Sequence, residues 1–344
     1  MKSIPLNGLD FIEYASPEPN KLESLFQQLD FVKTAQHKKK DVILYQQGDS
    51  QFVINKERNS FAEDFMKQRQ SPCVCSIGFR VDIPAQTALE IACSRGAKAV
   101  EKDSSHSFPA IYGVGDSLIY FIDDYQKEDS HWMKQFSFTN KASSSHLLLI
   151  DHLTNNVPTG AMNHWSEFYS NIFGFTERRY FDIKGVKTGL LSKVMKSPCD
   201  TISIPINEPS PDERGKKSQI QEYLEEYHGA GIQHIALLTQ QIVPAIERLR
   251  RKGLSFLDTP SAYYEMLKER LPVVKENVKD LERNQILADG DEKTYLLQIF
   301  TKNVIGPIFF EVIERHGHEG FGEGNFQALF DAIERDQMKR GYLS

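Results

Sequence analysis

The chain states one pattern twice, and that repetition limits its possible folds more than any other feature. Gly8-Leu9-Asp10-Phe11-Ile12-Glu13-Tyr14 reads as a strand, and Leu22, Leu25, Phe26 and Leu29 follow at helical spacing, ending near Phe31. Leu147-Leu148-Leu149-Ile150-Asp151-His152-Leu153 reads the same way. Met162, Trp165, Phe168, Tyr169, Ile172 and Phe173 then form an apolar helical face closed at Gly174-Phe175. Later segments also match. Cys75-Ser76-Ile77-Gly78-Phe79-Arg80-Val81 parallels Gln233-His234-Ile235-Ala236-Leu237-Leu238-Thr239, with Pro84 and Pro244 each leading into a helix. Leu118-Ile119-Tyr120-Phe121 parallels Ile308-Phe309-Phe310-Glu311. At 344 residues the chain suits two domains of about 170 residues each. We expect one at 1–140 and one at 146–344, divided in the polar run Thr139-Asn140-Lys141-Ala142-Ser143-Ser144-Ser145.

The two copies differ in chemistry. In the second, three strands each carry one possible metal ligand in apolar surroundings: His152, His234 and Glu311. Two imidazoles and a carboxylate are the ligand set of a mononuclear non-heme Fe(II) site with open positions. Alternate strand residues share a face, so His152 goes with Ile150, His234 with Ile232 and Ala236, and Glu311 with Phe309 and Ile313. An ionised Glu between Phe310 and Val312 is costly to bury unless a cation or donor meets it. Taken singly, each His reads as a hydrogen-bonded core residue and Glu311 as one end of a buried ion pair with Arg315 or another Arg. Overlaid on the first copy, the three fall at about Phe11, Ser76 and Phe121. The first half thus keeps the architecture without the ligands.

Other features are weaker. His316-Gly317-His318 has ligand-like spacing but sits in a turn, His164 reads as a surface or capping residue, and His228 as a helix C-terminal one. Gly320-Phe321-Gly322-Glu323-Gly324 lacks the Lys of a phosphate-binding loop. Ser218 with Gln221 predicts the capped start of a helix. After Asn325, Phe326, Leu329, Phe330 and Ile333 form one helical stripe, which we expect to act as a lid hinged at the glycines before it. The net charge of −6 and pI near 6.0 leave no basic field for nucleic acid, and Lys38-Lys39-Lys40 reads as a solvated loop. No apolar run reaches the roughly 20 residues of a membrane span. Met1-Lys2-Ser3-Ile4-Pro5 has no apolar core of a signal peptide, so a cytoplasmic protein is expected. Cys73, Cys75, Cys93 and Cys199 are expected to be buried or partly buried free thiols.

The strings Ile206-Asn207-Glu208-Pro209, Gly229-Ala230-Gly231-Ile232-Gln233-His234-Ile235-Ala236, Leu297-Gln298-Ile299-Phe300-Thr301, Phe310-Glu311-Val312-Ile313 and Gly320-Phe321-Gly322-Glu323-Gly324-Asn325-Phe326, with Lys217-Ser218-Gln219-Ile220-Gln221, resemble bacterial 4-hydroxyphenylpyruvate dioxygenases. The resemblance implies an α+β fold of two vicinal-oxygen-chelate domains, each an open β half-barrel of paired βαβββ modules with outer helices. It implies one Fe(II) per subunit on His152, His234 and Glu311. Gln233 and Gln298 match glutamines beside the metal strands. Ser192, Asn207 and Gln219 match polar residues near the substrate ring, and Phe300, Phe326 and Phe330 match pocket aromatics. The implied reaction takes 4-hydroxyphenylpyruvate and O2 to homogentisate and CO2 in tyrosine catabolism. The keto acid supplies the electrons, so no 2-oxoglutarate, flavin or nicotinamide is needed. Homodimer or homotetramer is the expected assembly. Three alternatives stay open on the ligands alone: 4-hydroxymandelate synthase, an extradiol dioxygenase and a non-catalytic binding protein of the same fold.

Overall fold

The computed structural model describes residues 4–101, 108–125, 130–142, 146–184, 189–210 and 218–325. Phe326, Phe330 and the rest of the expected lid helix lie outside them, as does the boundary run from Ser143 to Ser145.

The first half begins β1 (Leu6–Ala15), α1 (Pro19–Gln28), β2 (Val32–His37), β3 (Val42–Gln47), β4 (Ser50–Asn55) and α2 (Phe61–Arg69). It continues β5 (Cys73–Val81), α3 (Ala85–Ser94), β6 (Ala110–Tyr112), β7 (Leu118–Ile122) and β8 (Phe136–Phe138). The second runs β9 (Leu149–Asn156), α4 (Met162–Phe173), β10 (Thr176–Lys184), β11 (Gly189–Lys196), β12 (Ser203–Pro209), α5 (Gln219–Glu226), β13 (Gly231–Thr239) and α6 (Ile242–Arg251). Short helices α7 (Ala262–Glu265), α8 (Leu267–Arg270) and α9 (Val278–Asn284) precede β14 (Leu287–Gly290), β15 (Tyr295–Phe300) and β16 (Phe309–His316).

Each half builds one eight-stranded mixed sheet, in the orders β6-β7-β5-β1-β4-β3-β2-β8 and β10-β11-β12-β9-β13-β16-β15-β14. The repetition read in the sequence is therefore a repetition of topology. β1 lies parallel to β4 and antiparallel to β5, as β9 does to β12 and β13. Seven of the eight strands of the second sheet send side chains into one cavity, from Phe181 on β10 round to Phe300 on β15. The sheet is thus a curled half-barrel, as the fold class requires. The register corrects one detail of the overlay. His234 pairs across from Thr154 and Ser76 from Glu13, so Ser76 holds the place of His234 and Phe11 that of His152. Glu311 stands beside Ala236, and the matching place beside Gly78 belongs to Tyr120, one residue short of Phe121.

Local signals set the helices. Ser218 accepts from the Gln221 backbone N–H at 3.2 Å, as the capping pattern predicts. The Gln221 side chain turns instead to Glu225. α4 buries Met162, Tyr169, Ile172 and Phe173 and ends at Gly174, whose φ of +77° suits a residue without Cβ. One apolar core spans both halves, with Phe26, Phe31, Phe52 and Phe310 among its buried rings. Phe31 stacks on Phe52 at 4.1 Å, and Phe310 reaches Phe52 from the second half at 5.9 Å. Each such ring contributes about 1.5–3 kcal/mol through burial.

Arg69, at the end of α2, donates to the carbonyls of Gly115 and His228 and lies over the Tyr227 ring, so it clamps the chain entering β13. A Cβ on Gly229 would fall 2.1 Å from its guanidinium, and Gly229 has φ +143°. His228 itself follows α5, with Nδ1 2.9 Å from the Arg69 carbonyl. Lys38 to Lys40 form a bend between β2 and β3. The four cysteines are free; Cys73 and Cys75 are buried and Cys199 half-buried, but Cys93 is exposed, because it faces outward on α3. Among the described residues no helix is long and apolar enough to cross a membrane.

Candidate metal centre

β9, β13 and β16 are neighbours in the sheet, and each brings one ligand to the same face. His234 Nε2 lies 2.6 Å and His152 Nε2 3.3 Å from the same oxygen, Glu311 Oε2. The imidazole rings are 5.0 Å apart. His152 and Glu311 are 2% and 1% exposed, so water does not share in neutralising the carboxylate. Glu311 Oε1 is buried without a hydrogen-bond partner, which is costly for an ionised acid.

The electrostatics say what the cluster needs. Burial works to raise the Glu311 carboxyl, but His152 and His234 outweigh it and hold the group at about 2. Burial works to lower His152, yet Glu311 and Asp151 drive it up to about 9. Burial pulls His234 below its ordinary value, against Glu311 and with help from His152. An ionised acid and two inward-facing Nε2 atoms thus call for a shared cation. The three donor atoms lie within 4.8 Å of one another, and a divalent metal fits that donor set and takes up the unpartnered oxygen.

A second layer holds the first. Asp151 Oδ2 is 2.8 Å from His152 Nδ1, so Nδ1–H donates outward and Nε2 is the atom turned to the ligand cluster. Arg315 grips Asp151 with two N–H bonds of 2.8 and 2.7 Å and donates to the carbonyls of His318 and Gly320. Although burial pushes Asp151 upward, Arg315 and His152 keep its carboxyl well below the usual carboxylate range. Arg315 is therefore tied to Asp151 rather than to Glu311. The loop it anchors sets Phe321 edge-on to His152 at 5.1 Å.

The adjoining cavity is about 70 Å³, with Ser192, Asn207, Gln219, Gln233 and Phe300 in its wall. Ser192 and Asn207 face each other across β11 and β12. Asn156 donates to Gln233 Oε1 at 2.6 Å, which leaves the NH2 of Gln233 as its donor end. Gln298 does not reach the wall. Its amide is fully buried beneath Gly322, with neither polar atom partnered. Aromatics that the sequence reading did not single out as pocket residues complete the wall: Phe181, Phe309, stacked on His234 at 4.9 Å, and Phe321. Thr154, Phe309 and Asp151 were accessible to strand periodicity or adjacency, and Phe321 lies in a string that carries the resemblance; Phe181 and Asn156 carried no signal. His316 and His318 lie elsewhere, against Glu276 and Glu314 and against Thr294 and Asp291, and His164 is exposed on α4.

Residues 2–137 match the family model described as hydroxyphenylpyruvate dioxygenase, HPPD, N-terminal. The chain is 45% identical over 344 residues to the 4-hydroxyphenylpyruvate dioxygenase of Legionella pneumophila strain Corby, covering 98% of this chain and 97% of that one. The chain belongs to the 4-hydroxyphenylpyruvate dioxygenase family. Residues 149–285 match the broader glyoxalase, bleomycin resistance protein and dioxygenase superfamily. In structure, it superposes on a xylose isomerase-like TIM barrel/4-hydroxyphenylpyruvate dioxygenase fusion protein with TM-score 0.83 and 26% identity, over 97% of this chain; it spans about half (53%) of that longer chain. A mutant 4-hydroxymandelate synthase from Streptomyces coelicolor shares the fold, with TM-score 0.84, 24% identity and coverage of 97% and 100%. The family's two-half plan is thus the plan of this chain, and the three converging ligands lie in the second half.

Proposed function

We propose that the chain is an Fe(II)-dependent dioxygenase that converts 4-hydroxyphenylpyruvate and O2 to homogentisate and CO2. The observation that carries this reading is the convergence of two imidazoles and one carboxylate on a water-poor, aromatic-walled pocket with amide and hydroxyl groups in its wall. The reaction balances: the substrate's carboxylate leaves as CO2 with its own oxygens, one atom of O2 enters the new carboxylate formed at the keto carbon, and the other becomes the new ring hydroxyl as the side chain migrates. The second half, 146–344, is the catalytic domain and the first, 1–140, its scaffold. The lid expected beyond Asn325, with Phe326 and Phe330, lies outside the described residues.

His152, His234 and Glu311 hold the iron, which when bound supplies positions for the carboxylate and keto oxygens of the substrate and for O2. Asp151 and Arg315 keep His152 in the tautomer that leaves Nε2 free to bind. Gln233, its carbonyl taken by Asn156, donates its N–H to substrate oxygen near the metal. Gln298, buried beneath Gly322, backs the pocket without lining it. Ser192, Asn207 and Gln219 meet the phenol at the other end and fix which ring carbon is presented. Phe300, Phe309 and Phe321 exclude water, which protects the reacting centre.

The test is iron-dependent O2 uptake with 4-hydroxyphenylpyruvate followed by product analysis. Homogentisate is expected. Hydroxymandelate would assign the chain to benzylic oxidation, and no iron-dependent uptake would leave a binding protein.

A further inference from the structure

The first sheet curls around a cleft of its own, at the register positions that form the metal centre in the second. The cleft is about 90 Å³, no smaller than the 70 Å³ cavity beside the metal centre. Phe11 stands where His152 does and Tyr120 where Glu311 does. Asn55 stands where Asn207 does, because β1 and β4 pair as β9 and β12 do. The ligands have become aromatic walls. Phe11 lies 5.2 Å from Trp132 and 6.0 Å from Tyr120, and Trp132 lies 5.0 Å from Phe136.

The polar end has changed sign. Where the catalytic cavity has neutral Thr154, this cleft has Glu13. Its carboxylate is held from two sides, Oε1 accepting from Asn55 Nδ2 at 2.7 Å and Oε2 from Ser76 Oγ. Each oxygen keeps a further lone pair for a donor. His37, also in the wall, accepts backbone N–H groups from Lys39 and Lys40 at Nδ1 and faces the Gln135 side-chain oxygen with Nε2, so both ring nitrogens are already partnered. Lys40 contributes to the wall as well, and the Glu13 carboxylate is the charged group that Asn55 and Ser76 hold in place at this end.

We propose that this cleft is a second ligand site, for a small aromatic molecule carrying an ammonium group. The ring lies among Phe11, Tyr120, Trp132 and Phe136, and the ammonium meets Glu13 with the ring faces adding cation–π attraction. A carboxylate on the same ring meets the wrong charge. The site is separate from the catalytic one and does not depend on the reaction assigned to it.

The chain has two tryptophans, Trp132 and Trp165, so Trp165→Phe leaves a single fluorophore inside the cleft. The holoenzyme carrying that change is titrated with phenethylamine and with hydrocinnamate, which differ in the charge on the side chain. A saturable change in Trp132 emission is expected with phenethylamine and none with hydrocinnamate. Adding Glu13→Gln should weaken it about tenfold or more, and Val53→Phe, which fills the cleft, should abolish it. Three results overturn the proposal: no saturable change, equal response to both probes, or displacement of phenethylamine by 4-hydroxyphenylpyruvate under nitrogen, which would put the amine in the catalytic cavity.

Discussion

Asp151→Asn separates what holds the metal from what orients its ligand. Asp151 receives N–H from His152 at 2.8 Å and from Arg315 twice, at 2.8 and 2.7 Å. Asn fills the same space with one acceptor oxygen and no charge. His152 then loses the partner that fixes its tautomer, and such partners set metal affinity by about 10–100-fold, or about 1.4–2.7 kcal/mol. A separate cost falls on Arg315, whose side chain is 20% exposed. Stripping the counter-charge from a fully buried guanidinium costs about 3–5 kcal/mol. Partial exposure, with Glu311 and Glu323 close by, reduces that to about 2–3 kcal/mol. The two costs come apart in the double variant Asp151→Asn/Arg315→Met. Removing the orphaned charge returns part of the stability but none of the metal affinity. Anaerobic competition for Fe(II) against a chelator reads the affinity, and thermal melts of chelator-stripped protein read the stability. Wild-type affinity in Asp151→Asn would refute the reasoning, because His152 would then need no orienting partner.

His152→Ala, His234→Ala and Glu311→Ala are each expected to abolish turnover and metal content with circular dichroism unchanged, while Ser76→Ala and Tyr120→Phe, at the matching places of the first half, keep full metal content. Asn207→Ala or Gln219→Ala should leave iron in place and weaken substrate binding by about 0.5–1.5 kcal/mol, with misdirected product visible by chromatography. Asp30 joins the halves by pairing with Arg248 and Lys252 of α6. Burial pushes its carboxyl up, but the hydrogen bonds from those two cations outweigh it and the net shift is downward. A lowered folded pKa means stability that is present above the unfolded value and lost as pH falls through the folded one. Both cations are more than a third exposed, so Asp30→Asn should cost roughly 1 kcal/mol at pH 7 and progressively less as pH falls below the ordinary carboxylate value of about 3.9 in denaturant melts. Ending the chain after Asn325, which accepts from Tyr263 at 2.6 Å, is expected to leave folded, metal-binding protein with impaired ring hydroxylation; aggregation would show that the removed segment is needed for folding.

The ligand triad was legible because each member sits alone in an apolar strand, where period-two geometry decides its face. The same rule reaches Thr154, two residues beyond His152, and Phe309, two before Glu311. The Arg315–Asp151 pair was half legible. A buried Arg partner was expected, but which carboxylate it takes depends on residues 164 apart in sequence meeting across the sheet. The slip from Tyr120 to Phe121 has a related cause. Leu118-Ile119-Tyr120-Phe121 is apolar on both faces, so no alternation fixes its register, and only pairing with β5 does.

That register also shows what the first half holds in place of the candidate metal centre of the second. Three ligand exchanges are not the whole difference. Gly78 stands where Ala236 does, and a Cβ there would fall 2.7 Å from the Phe11 ring. The Phe11 side chain therefore occupies volume that the second half gives to Ala236 and the space between ligands. Glu13 adds a carboxylate where the metal centre keeps a hydroxyl, and Ser76, in the place of His234, donates to it. Installing Phe11→His, Ser76→His and Tyr120→Glu together would put a second acid beside Glu13 and break the bond that holds it. The expected result is a destabilised half with no metal at neutral pH. Metal binding at wild-type affinity by that triple variant would show that ligand identity alone, without the surrounding packing and charge, makes the centre.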